Sequence, residues 1–347
     1  MAMESLCDLT CEELGSRLKQ KFRAKQIFDW VYKKHVTSFE HMSNLGKELQ
    51  SSLSQQFTFP SIQLLSTVHT PETTKYLWQL ADGYQVESVL IRSFDRRTVC
   101  LSSQVGCPAR CAFCASGKEG LFRSLSAGEI VEQALTIDRL LSQDQERVTH
   151  LVYMGMGEPF ENYDHVIKSI RILNSADTLH LSKRRITLST VGVVEGIYRL
   201  ADEGLPVNLV LSLHAPNQTL RKKIIPYARK YELEDVLKAM DHYASVTSRE
   251  ITYEYTLLDG INDSQACAFE LVELLKKRAC TVNLIPYNPV AGLKLSRPSK
   301  ASIIEFKTIL EEGGLNVTWR YTKGDDIAAA CGQLALQKKS EGGLPVI

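Results

Sequence analysis

The stretch VGCPARCAFCASG, Val105 to Gly117, places Cys107, Cys111 and Cys114 in one short loop with the spacing C-x3-C-x2-C. Thiols clustered in this way point to metal binding or redox catalysis rather than to a disulfide framework. A closed zinc site needs a fourth ligand and usually pairs C-x2-C with a second knuckle. The sequence offers no second knuckle, and Cys100, seven residues upstream inside an expected strand, is an awkward fourth ligand. The other reading is a four-iron cluster on three thiolates. Its remaining iron keeps an open position, which an amino group and a carboxylate can chelate.

Outward from this loop the chain alternates strand and helix. RTVCLSS, just before it, reads as a strand. SAGEIVEQALTIDRLL, after it, opens with Ser126 and Glu129 at capping-box spacing and reads as a helix. The strands VTHLVYM, RRITLST, PVNLVLSLHA, REITYEYTLL, CTVNLIPY and NVTWRY follow, with helical patterns between them. Such alternation means parallel strands with crossover helices, so the fold class is α/β. Six βα units suit a partial barrel better than a closed eight-fold one, and barrels keep active sites at the C-terminal ends of their strands. The cysteine loop sits at such an end.

The chain before residue 96 differs. KQIFDWVYKK sets Ile27, Phe28, Val31 and Tyr32 at helical spacing, and LGKELQSSLSQQF reads as a second helix. TKYLWQL and YQVESVLIRS flank Asp82-Gly83, a hairpin signal. The expected organisation is a helical accessory domain over 1–60, a β-hairpin extension over 61–95, the barrel over 96–335 and a tail over 336–347.

The 347 residues carry 41 Lys and Arg against 40 Asp and Glu, a net charge of +1 that speaks against a bulk nucleic-acid binder. Basic residues cluster locally, in Arg17 to His35 with interleaved aromatics, in SKRR (Ser182 to Arg185), in RKK (Arg221 to Lys223) and in KKR (Lys276 to Arg278). A solvated helix face accounts for each, and the first is the one suited to a polyanion. No apolar run reaches transmembrane length and the N-terminus lacks an apolar signal core, so a cytoplasmic protein with no membrane partner is expected.

Other residues gather at the expected strand ends. MGMGEP, Met154 to Pro159, closes the second barrel strand with a tight glycine turn whose backbone can approach a ligand closely. Ser189, Ser212, His214 and Asn288 also fall at C-terminal strand ends. Each alone is more often structural, but together they would line one rim. Cys331, in AACGQL, lies past the last strand. A lone Cys is usually a small buried apolar group, yet the polar setting KGDDIAAACGQL suits a core poorly.

C-x3-C-x2-C in the first βα loop is the signature of the radical S-adenosylmethionine (SAM) superfamily. SSQVGCPARCAFC, GMGEP, LSLHAP and GDDIAAACGQL further resemble the RNA methyltransferases of the RlmN/Cfr type, over roughly residues 22 to 335. The resemblance implies a partial (βα)6 radical SAM barrel, a [4Fe-4S] cluster on Cys107, Cys111 and Cys114, and SAM, two molecules per turnover. SAM contacts would come from Gly157, Glu158, Ser189, Ser212, Leu213, His214 and Asn288. The implied reaction methylates C2 of adenine in 23S rRNA and in tRNA; the alternative is the Cfr-type reaction at C8, with Val105 closer to the C2 enzymes. By the same resemblance Cys331 carries the methyl group as S-methylcysteine, Cys100 releases the product through a transient disulfide, and Glu87 accepts the C2 proton. An electron donor such as flavodoxin or ferredoxin and a monomeric state complete the implied picture. Asp325 and Asp326, beside Cys331, either orient its loop or solvate it. Cys7, Cys11, Cys267 and Cys280 fall in no motif.

Overall fold

The computed structural model describes residues 3–319 and 324–335. Its N-terminal part is held by a short parallel ladder between β1 (Glu4–Ser5) and β2 (Phe57–Thr58). Between them lie α1 (Cys11–Arg17), α2 (Arg23–Phe28), which runs on through a π turn at Asp29–Lys33, and α3 (Lys47–Gln56). Thr10 and Glu13 form a reciprocal capping box that starts α1. Ile27, Phe28, Val31 and Tyr32 are all buried, as their spacing predicts. Part of the basic stretch is neutralised within the chain: Arg17 pairs with Glu4, and Lys33 with Asp29. Lys19, Lys21, Lys25 and Phe22 stay exposed, and the Lys34 ammonium lies 3.5 Å above the Trp30 ring.

The rest is built on one ten-stranded sheet. Three antiparallel strands come first, β3 (Ile62–His69), β4 (Thr73–Leu80) and β5 (Gln85–Ser93), and β5 pairs antiparallel with β6 (Arg96–Cys100). The extension expected as a two-stranded hairpin therefore has three strands and continues the barrel sheet. A small ribbon of β7 (Gln104–Gly106) and β8 (Leu121–Ser124) brackets the cysteine loop. Helix α4 (Ala127–Ser142), opened by the Ser126–Glu129 capping box, crosses to β9 (His150–Tyr153). Then α5 (Tyr163–Asn174), β10 (Ile186–Thr190), α6 (Val194–Asp202) and β11 (Asn208–Ser212) follow. After them come α7 (Gln218–Ile224), α8 (Leu233–Thr247), β12 (Ile251–Leu257), α9 (Gln265–Leu275), β13 (Cys280–Pro286), α10 (Lys300–Glu312) and β14 (Asn316–Trp319).

Strands β6 and β9 to β14 are parallel and adjacent in order, joined by six helical crossovers. This is the partial barrel the alternation predicts. Its strands are apolar on both faces, as Leu209, Val210 and Leu211 are in β11, because helices cover one side and the barrel interior the other. All C-terminal strand ends meet at one mouth. Among the described residues, no helix is long and apolar enough to cross a membrane. The tail expected over 336–347 lies outside the described residues.

Candidate active site

The cysteine loop is set by its closing ribbon. The Cys107 amide donates to the Gly120 carbonyl at 3.0 Å, and Gly106 has φ +77°; a Cβ there would meet the Gly120 carbonyl oxygen at 2.0 Å. At the far side the Ala112 amide donates to the Ile224 carbonyl of α7 at 2.8 Å. The base of the loop is fixed by Gln133 of α4, fully buried, whose amide bonds both the N–H and the C=O of Ser102 at 3.0 Å. All three thiols line a cavity of about 120 Å³ at the barrel mouth. Among the described residues, no three His, Cys, Asp or Glu side chains converge closely enough to hold a single ion.

The glycine turn forms the next wall. The Met156 carbonyl accepts from Ser103 and Gln104, and its amide donates to the Ser102 hydroxyl. The turn thus lies flat on the chain that leads into the cysteine loop. Gly157, φ +112°, has no room for a side chain: a Cβ would stand 2.6 Å from the Ser103 hydroxyl. Glu158 lines the same cavity, but both its oxygens already accept backbone N–H groups, from Phe160 at 3.0 Å and Val191 at 2.8 Å. Burial still pushes its carboxyl up to about 7. Its side chain braces the turn against the end of β10.

Ser189 and Ser212, at the ends of β10 and β11, line the cavity with their hydroxyls 3.2 Å apart. His214 also lines it. Its Nδ1 accepts from the Thr256 amide at 2.9 Å, which leaves the ring proton on Nε2, and burial beside Arg221 pulls its pKa down to about 3. The neutral ring meets Phe113 of the cysteine loop edge-on at 4.8 Å. Leu213 is fully buried and outside the cavity lining. Asn288 lines the cavity and donates to the Cys331 carbonyl at 3.1 Å.

Cys331 is exposed on a loop that is fastened across the mouth. Gly332 accepts from the Ala115 amide at 2.7 Å, Leu334 from the Ser116 hydroxyl at 2.6 Å, and Ala335 donates to Glu87 Oε2 at 3.0 Å. Cys331 borders the small cavity and also a larger one of about 450 Å³ inside the barrel. Cys100 lines the larger cavity too, and both residues are thiols rather than a disulfide. Cys100 is paired in register with Val89 of β5, so both present their side chains to one face. By strand alternation Glu87 shares that face. It is 2% exposed rather than solvated, with Lys75 Nζ 3.1 Å from Oε1. Asp326 lies apart, on a shallow outer groove with Glu72, and the Asp325 side chain is outside the described residues.

Arg221 is the residue that sequence reasoning misplaced. The RKK run reads as a solvated face, yet Arg221 is fully buried, with Cys111 of the cysteine loop among its electrostatic neighbours. Its one sequence signal is that it shares a helix face with buried Ile224, three residues on. Its Nη1 is shut from solvent with no hydrogen-bond partner among the described residues. Desolvation raises the pKa of all three loop thiols, so something electron-withdrawing must bind them if they are to be thiolates. A soft three-thiol donor set with an unanswered buried cation beside it fits an anionic iron–sulfur cluster.

A partial barrel with a three-thiol loop and a glycine turn at its mouth defines a radical SAM enzyme. Residues 101–272 match the Radical SAM superfamily, and residues 6–59 match the Ribosomal RNA large subunit methyltransferase N-terminal domain. The chain is 57% identical over 339 residues to the probable dual-specificity RNA methyltransferase RlmN 2 of Protochlamydia amoebophila, covering 97% of this chain and 95% of that one. It is 46% identical to the probable dual-specificity RNA methyltransferase RlmN of Thermotoga neapolitana, over 97% and 99% of the two chains. The crystal structure of a radical SAM methyltransferase from Sphaerobacter thermophilus superposes with a TM-score of 0.93 at 42% identity, over 95% of this chain and 99% of that one. The chain belongs to the RlmN family. It is a methyltransferase, and membership in the radical SAM superfamily implies a [4Fe-4S] cluster and SAM.

Proposed function

We propose that this enzyme methylates C2 of adenine in RNA, in 23S rRNA and in tRNA, with Cys331 as the methyl carrier. The observation that carries the reading is that Cys331 and Cys100 line one cavity inside the barrel, with Cys114 of the cysteine loop in the same wall. Adenine C2 is an electron-poor carbon between two nitrogens and cannot attack the methyl of SAM. A thiol can, and Cys331 is an exposed one. Attack by its thiolate on one SAM breaks the methyl–sulfonium bond, releasing S-adenosylhomocysteine and leaving S-methylcysteine. Cys107, Cys111 and Cys114 would hold a [4Fe-4S] cluster, which would supply the electron for cleavage of a second SAM to methionine and a 5′-deoxyadenosyl radical, the acceptor of a hydrogen atom from the Cys331 methyl. Loss of a hydrogen atom from the methyl on Cys331 gives a carbon radical that adds to C2.

Cys100 then acts at release. Once the radical adduct has given back one electron along with its C2 proton, the Cys100 thiolate attacks the Cys331 sulfur. The carbon–sulfur bond breaks with its electron pair left on carbon, that carbon takes up a proton to become the methyl group, and the two sulfurs pair as a disulfide. Glu87, held on the same sheet face, accepts the C2 proton. Gly157, Ser189, Ser212, His214 and Asn288 supply the rim on which SAM lies, while Glu158 and Leu213 act through the backbone they hold. A flavodoxin- or ferredoxin-type donor supplies electrons, and the enzyme works as a cytoplasmic monomer. The exposed cations and Phe22 before residue 35 suit contact with the RNA backbone. The test is nucleoside mass spectrometry of rRNA and tRNA treated with reconstituted enzyme. 2-Methyladenosine is expected. 8-Methyladenosine would refute the position assigned, and methylation that persists in Cys331→Ala would refute the carrier.

A further inference from the structure

We propose that Arg221 is a buried counter-charge for the group held by Cys107, Cys111 and Cys114 and sets its reduction potential. The inference rests on reading those thiols as cluster ligands. Arg221 is fully buried, and every hydrogen bond it makes goes to a neutral backbone carbonyl. Nε donates to Leu213 at 3.2 Å, and Nη2 donates to Val191 at 2.6 Å and Ser212 at 3.2 Å. Those three bonds fix the plane of the fork. They also leave Nη1 with two N–H groups that nothing among the described residues accepts. A buried guanidinium without an anion is expensive, and a buried donor left unmade adds to the cost. Such a residue persists where an anion answers it.

The geometry names the anion. α7, which carries Arg221, ends at Ile224, and the Ile224 carbonyl takes the amide of Ala112, the residue after Cys111. Burial pulls the guanidinium pKa down to about 10, and Cys111 is the neighbour that opposes the fall. The carbonyls that aim the fork come from the ends of β10 and β11, the same rim that carries Ser189 and Ser212. A four-iron cluster on three thiolates has a net negative charge, and each electron taken up adds one more. A fixed cation with N–H groups toward its sulfurs favours the reduced form and raises the potential. Arg suits the task because its planar fork can be pinned on one side and donate on the other, and it stays charged. His214, also beside Arg221, is neutral and adds no opposing charge.

The test uses the full chain, reconstituted anaerobically with iron and sulfide and titrated by EPR without RNA. Arg221→Gln is expected to take up a normal complement of iron. At a fixed applied potential its ratio of reduced to oxidised cluster should fall about tenfold, a drop of ~59 mV for a one-electron couple. Arg221→Lys, which keeps the charge, should recover most of the loss. SAM binding to the oxidised cluster should stay within about twofold. An unchanged potential in Arg221→Gln overturns the proposal, and an unchanged potential with weakened SAM binding reassigns the residue to the SAM carboxylate. Neither variant need fold for the second arm. Protein with guanidino-15N arginine, carrying Arg110→Gln to silence the exposed neighbour of Cys111, should show a weak 15N coupling to the reduced cluster in pulsed EPR. Absence of that coupling also overturns the proposal. A wild-type chain that takes up no iron is a different failure, that of the cluster reading itself.

Discussion

Replacing Glu132 with alanine tests how the N-terminal segment is held to the barrel. Glu132 lies in α4 and is 1% exposed. Its Oε1 accepts from the hydroxyls of Ser5 at 3.0 Å and Ser61 at 2.8 Å, and Oε2 from the amides of Ser61 at 2.6 Å and Ile62 at 3.1 Å. One carboxylate thus clasps the chain where it enters the segment and where it leaves. Desolvation nonetheless lifts its pKa from 4.5 to about 6, so its ionised form costs about 2 kcal/mol relative to the neutral one. Alanine removes that cost. It also strands two backbone N–H groups, at about 1–3 kcal/mol each, and two hydroxyls. The stranded donors win, and Glu132→Ala should lose about 2 kcal/mol net near neutral pH. Because folding raises this pKa, the clasp contributes fully below about pH 4.5 and weakens as pH rises through about 6. Urea unfolding at pH 5 and pH 7.5 reads both effects, with the larger deficit at pH 5. A deficit below about 0.5 kcal/mol that is the same at both pH values would refute the reasoning, since neither the stranded donors nor the buried charge could then matter.

Four further outcomes are expected. Cys107→Ala, Cys111→Ala and Cys114→Ala should each lose bound iron and SAM cleavage together, read by iron analysis and 5′-deoxyadenosine release. Cys100→Ala should load the methyl and then stall as a covalent protein–RNA adduct, visible as a gel shift that nuclease reduces to one modified nucleoside on Cys331. Asn288→Ala removes the bond to the Cys331 carbonyl, worth about 0.5–1.5 kcal/mol, so methyl loading should slow by up to about tenfold with iron content intact. Reversing Lys19, Lys21 and Lys25 should weaken RNA binding and reduce its salt slope, while RNA-free SAM binding stays as in wild type; an unchanged slope returns these residues to a solvated surface.

The barrel was legible because its signals are local and agree with one another. Strands such as β11 are continuous apolar runs, α4 announces itself with Ser126 and Glu129, and the cysteine spacing marks the mouth. Strand β3 was not legible. It is the sheet edge, with Leu65 40% and Val68 46% exposed, so neither alternation nor a buried run marks it. At the site, residue types were readable but not their partners. Glu158 looks like a ligand contact until its oxygens are found on the Phe160 and Val191 amides. Glu87, on a strand, gives no sign of burial, which comes from Lys75 on the neighbouring strand and from Ala335, 248 residues away. Arg221 hides in a basic run because its burial depends on a loop more than a hundred residues earlier in the chain.

The loop bearing Cys331 also has a place in time. Its fastenings reach across 218 residues to Ser116, 248 to Glu87 and 253 to Lys75. Contacts of such separation form only after the long closure they require, so the barrel must be assembled before they can hold. During that interval Cys107, Cys111 and Cys114 already share one short loop, while Cys331 is still remote from them. On the proposed assignment, chain closure thereby separates the three cluster ligands from the methyl-carrying thiol until the barrel is complete.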